Sequence, residues 1–185
     1  MNADDLHPYV KLARRAVEYY FETRKILDPS EALSLSPKRE LWDKRLACFV
    51  SIKTLNGNLR GCIGTIRPVR ENLASEIIYN ALAAAFEDPR FMPLKEEELP
   101  GVIFSVDVLS EPERVTSIEE LEPKKYGVVL EKGFKKGVLL PDLEGIDTVK
   151  EQLDIVARKA GISSLKGARI YRFTVKRYEE VRKDR

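Results

Sequence analysis

Two cysteines, one histidine and one tryptophan are a sparse supply of reactive side chains for a chain of 185 residues. Cys48 and Cys62 are too few for a disulfide framework. With His7 as the only histidine, a histidine-rich metal site within one chain is excluded. A Cys–His or Ser–His dyad would have to recruit a residue beside Pro8 at a helix start, where a cap or surface role is the simpler reading. The chain contains no CxxC, HExxH, GxGxxG or Walker loop, so no zinc, dinucleotide or nucleotide motif is present and no cofactor is expected. Long apolar runs are missing too. The longest block, Ile77 to Phe86, is too short to cross a bilayer and is interrupted by Asn80, and nothing resembles a signal peptide. The expectation is a cytoplasmic protein with no membrane segment. Charge of one sign is also absent: 32 Lys and Arg face 30 Asp and Glu, for a net +2. That balance argues against a dedicated nucleic-acid binder. Asn and Gln together number only six, and with many charges this leans towards a heat-adapted source.

What remains is an ordinary folded composition, 43% hydrophobic and 34% charged. One domain is expected over 1–185, with a smaller lobe whose boundaries the sequence does not set. Leu6, Val10, Ala13, Val17 and Tyr20 recur at helical spacing, predicting a first helix that fades near Leu27, where a stretch with two prolines and several serines begins. Leu46 to Leu55 reads as a strand, then Asn56-Gly57 as a two-residue turn, then a second strand from Asn58 to about Ile66. Arg70 to Phe86 predicts a deeply buried helix ended by Asp88-Pro89. "GVIFSVDVLSEPERV" predicts one long strand, "YGVVLEKGFKKGVLLP" a hairpin, Val149 to Ala160 a helix capped by Gly161, and "ARIYRFTVKRYEEV" a closing strand. Hairpins recur without regular βαβ alternation, so the expected class is α+β with a largely antiparallel sheet packed with helices.

A two-residue Asn56-Gly57 turn would set Lys53 opposite Arg60, Ser51 opposite Cys62 and Val50 opposite Ile63. Cys48 then points into the core. Cys62 points to the more polar face, beside Arg60 and Lys53. Nearby cations favour the thiolate, the reactive form of cysteine, and Gly61 and Gly64 leave bare backbone that would admit a ligand or another chain segment. The alternative is packing, since free cysteine is among the most buried residue types and strand glycines mark bulges or close approach under a helix. A second cluster, "FEDPRFMPL", offers Glu87, Asp88 and Arg90 either as an acid–base or anion-binding corner or as an ion pair bracing a loop. Lys132, Lys135 and Lys136 at a hairpin tip could touch phosphate, or could simply be solvated.

"LRGCIGT" followed by a helix and "DPRFMPL" resembles the AMMECR family, whose prokaryotic branch is called AmmeMemoRadiSam system protein A. The likeness runs over nearly the whole chain, through "LARRAVEYYF", "VDVLSEPE" and "GVLLP". It implies an α+β protein with a larger and a smaller lobe and a cleft between them, and an association with a Memo-like protein and a radical-SAM protein. It implies no particular reaction. Carried over residue by residue, Leu59 to Gly64 are the family's hexapeptide, and Asp88, Pro89, Arg90 and Phe91 its second block. The segment from Leu139 to Gly161 lacks the tryptophan and cysteine of eukaryotic members, so no role is transferred there. The favoured expectation is a binding or adaptor protein whose pocket for a small molecule or partner involves Arg60, Gly61, Gly64, Asp88 and Arg90. The alternatives are an enzyme or redox component with Cys62 as catalytic thiolate or ligand, and, more weakly, a nucleic-acid-associated protein.

Overall fold

The computed structural model describes residues 6–31 and 39–180. The turns expected over 32–38 lie outside the described residues. Helix α1 runs Pro8–Thr23. Proline suits its first position, where an N–H would have no partner, and the His7 Nδ1 caps it by accepting the Tyr9 N–H at 3.4 Å. Tyr9, Val10, Leu12, Ala13, Ala16 and Val17 form the buried stripe. The helix stops short of Leu27 because Arg24 turns left-handed (φ 59°), its N–H bonding the Tyr20 carbonyl. A short helix α2 (Glu40–Asp43) precedes strands β1 (Cys48–Thr54) and β2 (Leu59–Gly64). Helix α3 (Leu73–Phe86) follows, capped by the Asn72 side chain, which accepts the Ser75 N–H at 2.9 Å.

Strand β3 (Val102–Leu109) is followed by β4 (Glu113–Val115), β5 (Gly127–Lys132) and β6 (Lys135–Leu139). Helix α4 (Val149–Ala160) begins on a capping box of Thr148 with Glu151 and ends on left-handed Gly161. Strands β7 (Arg169–Phe173) and β8 (Val175–Glu179) close the chain. Two four-stranded sheets result, ordered β2-β1-β3-β8 and β4-β7-β5-β6, and the class is α+β with antiparallel pairing. Two expected single strands are each divided. "GVIFSVDVLSEPERV" breaks at Ser110 to Pro112, where proline cannot continue a ladder, and its halves join different sheets. "ARIYRFTVKRYEEV" divides in the same way at Thr174.

The chain forms two compact units, one running to Val108 and resuming at Arg177, the other spanning Leu109–Lys176. The first packs α1 and α3 on one face of its sheet, burying Cys48, Val50, Ile52, Phe104 and Val106 among helix residues such as Leu12, Val17, Ile77 and Ala81. The second packs Leu153 and Val156 of α4 with Val128, Leu130 and Leu139.

Candidate functional site

The turn between β1 and β2 holds three residues rather than two. Thr54 pairs with Asn58, the Gly57 N–H bonds the Thr54 carbonyl at 2.8 Å, and Gly57 takes the left-handed conformation such a loop requires (φ 85°). Lys53 therefore lies opposite Leu59, not Arg60. The slip is undone one step later. The register shifts again between Ile52 and Lys53, leaving Arg60 as an extra residue in β2, and beyond it Ser51 faces Cys62 as the sequence predicts.

From that bulge the Arg60 side chain reaches the segment from Met92 to Glu98. Its guanidinium grips Glu98 as a fork, Nε to Oε1 at 2.8 Å and Nη2 to Oε2 at 3.0 Å. It also donates to the carbonyls of Met92 at 2.9 Å and Pro93 at 3.4 Å. The Glu98 carboxyl is held below its ordinary pKa, first by this hydrogen bond. Glu98 had no signal in the sequence, because its partner lies 38 residues away.

Strand β2 is a sheet edge, and its outward backbone at Cys62 is closed by the second cluster. The Cys62 N–H donates to Asp88 Oδ2 at 2.9 Å, and Arg90 Nη2 donates to the Cys62 carbonyl at 3.2 Å. Arg90 in turn holds Asp88 through Nε to Oδ1 at 3.0 Å and Nη2 to Oδ2 at 2.7 Å. Asp88 is buried, and these donors hold its carboxyl well below the usual range, the Arg90 hydrogen bond being the largest cause. Together the two side chains occupy the donor and acceptor that another strand would use.

The glycines serve close approach. A Cβ on Gly61 would collide with the Ala84 carbonyl of α3, and one on Gly64 with the Phe49 ring and the Cys48 carbonyl. The space beside both is filled by the protein's own chain.

The Cys62 thiol lies on the opposite face of the sheet from α3, partly exposed, and receives the Ser51 hydroxyl at 3.1 Å. Ser51 is paired in turn with Ser105 of β3, so Cys62, Ser51 and Ser105 form a row across three strands. Beside that row Arg177 grips buried Asp107 through Nε at 2.7 Å and Nη2 at 2.8 Å. The pKa values of Arg90 and Arg177 are raised, chiefly by Asp88 and Asp107 and least by the nearby Cys62 sulfur. Arg90 and Arg177 are thus cations within electrostatic reach of the thiol. Arg177 and Asp107 were not singled out from the sequence, because the closing segment gave no sign of which sheet it would join.

Cys48 is fully buried, with its carbonyl bonded by Asn80 Nδ2 at 3.0 Å, and burial pushes its thiol up to about 12. His7 stacks on Tyr178 with ring centroids 4.0 Å apart and caps α1. Among the described residues, no cluster of three or more His, Cys, Asp or Glu could hold a metal ion.

The chain resembles known proteins over most of its length. The family model described as AMMECR1 matches residues 10–178. A protein from Thermotoga maritima is 50% identical over 174 residues, covering 94% of this chain and 98% of that protein. One from Clostridium acetobutylicum is 49% identical over 173 residues, covering 94% of this chain and only 36% of that longer protein. The crystal structure of an uncharacterized protein from Pyrococcus horikoshii superposes with a TM-score of 0.83 at 33% identity, covering 93% of this chain and 89% of that one.

Proposed function

The chain belongs to the AMMECR1 family, and we propose that it is a binding or adaptor protein whose hexapeptide strand and Asp88–Phe91 turn present a preset docking surface. The observation that carries this reading is the use made of the motif charges. Arg60 is spent on Glu98 and two carbonyls, and Asp88 on Arg90 and the Cys62 N–H. A carboxylate held far below its usual pKa, with both oxygens already accepting, is a poor general base. The charged residues thus hold a surface in shape, leaving the Arg90 side chain 56% exposed at its rim. The length of the Clostridium acetobutylicum relative supports a modular role, because there the matching region is one part of a longer chain. The partners proposed are a Memo-like protein and a radical-SAM protein, as the family likeness implies, within the cytoplasm. Co-purification with a Memo-like protein should survive Cys62→Ser and fail on Arg90→Glu. Retention by Arg90→Glu with loss by Cys62→Ser would overturn the docking account.

A second reading has one observation in its favour. The Cys62 sulfur, partly exposed, meets the Ser51 hydroxyl and lies within reach of two guanidinium groups. As an enzyme or redox component, the protein would use that thiolate as nucleophile or ligand. Alkylation rate against pH tests it: half-maximal reactivity near or above pH ~8.5, the value of an ordinary thiol, removes this reading.

A further inference from the structure

A pocket of about 480 Å³ lies within the first unit, on the side of α3 where the chain passes from Thr65 to Arg70. Its size falls within the range of small-molecule sites, roughly 300–1,000 Å³. Tyr20, Tyr79, Leu82 and Phe86 supply apolar and aromatic wall. Two polar groups break that wall, the Asn80 amide and the Arg70 guanidinium. Asn80 is only 6% exposed, and its Nδ2 is committed to the Cys48 carbonyl, yet no described residue donates to its Oδ1. That oxygen is not sealed from solvent, so it is open to a donor carried by a ligand. Arg70 at the rim stacks its guanidinium over the Tyr79 ring at 3.7 Å and makes no ion pair with a described residue. The buried Glu76 carboxylate keeps its charge but directs both oxygens to groups of the protein. Glu76 accepts the Thr65 hydroxyl and the N–H groups of Val69 at 3.0 Å and Arg70 at 2.8 Å.

We propose that this pocket binds a small aromatic carboxylic acid carrying a hydroxyl or N–H donor on the ring. The ring packs against Tyr20, Phe86 and Leu82, its donor meets Asn80 Oδ1, and the carboxylate pairs with Arg70. Arginine stacked on an aromatic face is held with its donor edge free, which suits a planar carboxylate. Glu87 at the rim is exposed, so its repulsion of the acid is screened by water. The site is separate from the Cys62 thiol and does not depend on partner docking there.

The test uses 3-(4-hydroxyphenyl)propionate as the probe, with 3-phenylpropionate and the hydroxyphenyl amide as controls, by calorimetry and two-dimensional NMR. The acid should bind about tenfold more tightly than either control, as expected for one buried hydrogen bond or one ion pair. The Asn80 side-chain amide signal should shift. Arg70→Gln, a surface change, should erase the preference for acid over amide while keeping that for the ring hydroxyl. Ala83→Trp should abolish binding in a protein whose NMR spectrum still shows a fold. No binding at millimolar probe, binding indifferent to both the hydroxyl and Arg70, or shifts away from α3 would each overturn the proposal.

Discussion

Asp88 completes the edge of β2 at Cys62, its Oδ2 receiving the Cys62 N–H at 2.9 Å where a neighbouring strand would otherwise accept. The two family motifs, 26 residues apart, are therefore joined through backbone rather than through the thiol. The loop gains an anchor and the strand loses an open edge.

Replacing that carboxylate should be felt in stability. Asp88→Ala leaves the Cys62 N–H without a protein partner and frees Arg90, at an expected cost of about 2–4 kcal/mol. Urea unfolding should show a lower midpoint with an unchanged slope. Asp88→Asn, which can still accept the N–H, should cost less. An alanine variant as stable as the parent would remove the anchoring role.

The same group predicts a pH dependence. Its folded pKa lies below its unfolded value of about 3.9, so its stabilisation is fully present above that value. It is lost as the pH falls below about 4 towards the folded pKa. The gap in unfolding free energy between the parent and Asp88→Asn should be widest above about pH 5 and narrow by about pH 3. A gap constant from neutrality to pH 3 would contradict this assignment.

Glycines of the first unit should separate sharply. Gly61→Ala forces a methyl group onto the Ala84 carbonyl, and backbone cannot yield as a side chain can, so a loss of about 3 kcal/mol is expected. At Gly101 nothing lies within 4 Å of an added Cβ, and Gly101→Ala should be neutral or slightly stabilising. Thermal unfolding of the two variants side by side decides the matter.

The two thiols should also differ in kind. Cys48 is sealed and its thiol pushed up to about 12, whereas Cys62 is partly exposed. Iodoacetamide on native protein, read by peptide mass spectrometry, should label Cys62 and leave Cys48 unmodified until unfolding. Equal labelling under native conditions would show that the core opens at Cys48.

The helices were legible because their signals are local: Pro8 at a first turn, Asp88-Pro89 as a stop and Gly161 as a cap all act within a few residues. The Ser51–Cys62 pairing and the buried direction of Cys48 were also readable, though by a route that concealed two compensating irregularities. Nothing local marks Arg60 as a bulge; its conformation is fixed by Glu98, Met92 and Pro93, more than thirty residues onward. The divided strands were unreadable for a similar reason. Alternation reports which face is buried, not which sheet a strand joins, so the segments through Ser110 to Pro112 and Thr174 each read as one strand. At the site, Asp88 and Arg90 were visible as a pair, but their attachment to the backbone of Cys62 is a tertiary fact.

The paired irregularities of the first hairpin give its two ends different freedom to vary. Beyond Arg60 the alignment of β2 is clamped by distant side chains, while the tip around Asn56 is exposed. Changes in tip length can be absorbed there as loop conformation, because sliding the strand would tear Arg60 from Glu98 and Cys62 from Asp88 together. Evolutionary drift in the hairpin is thereby channelled into its outermost residues. The alignment around Cys62 should outlast the turn that leads into it.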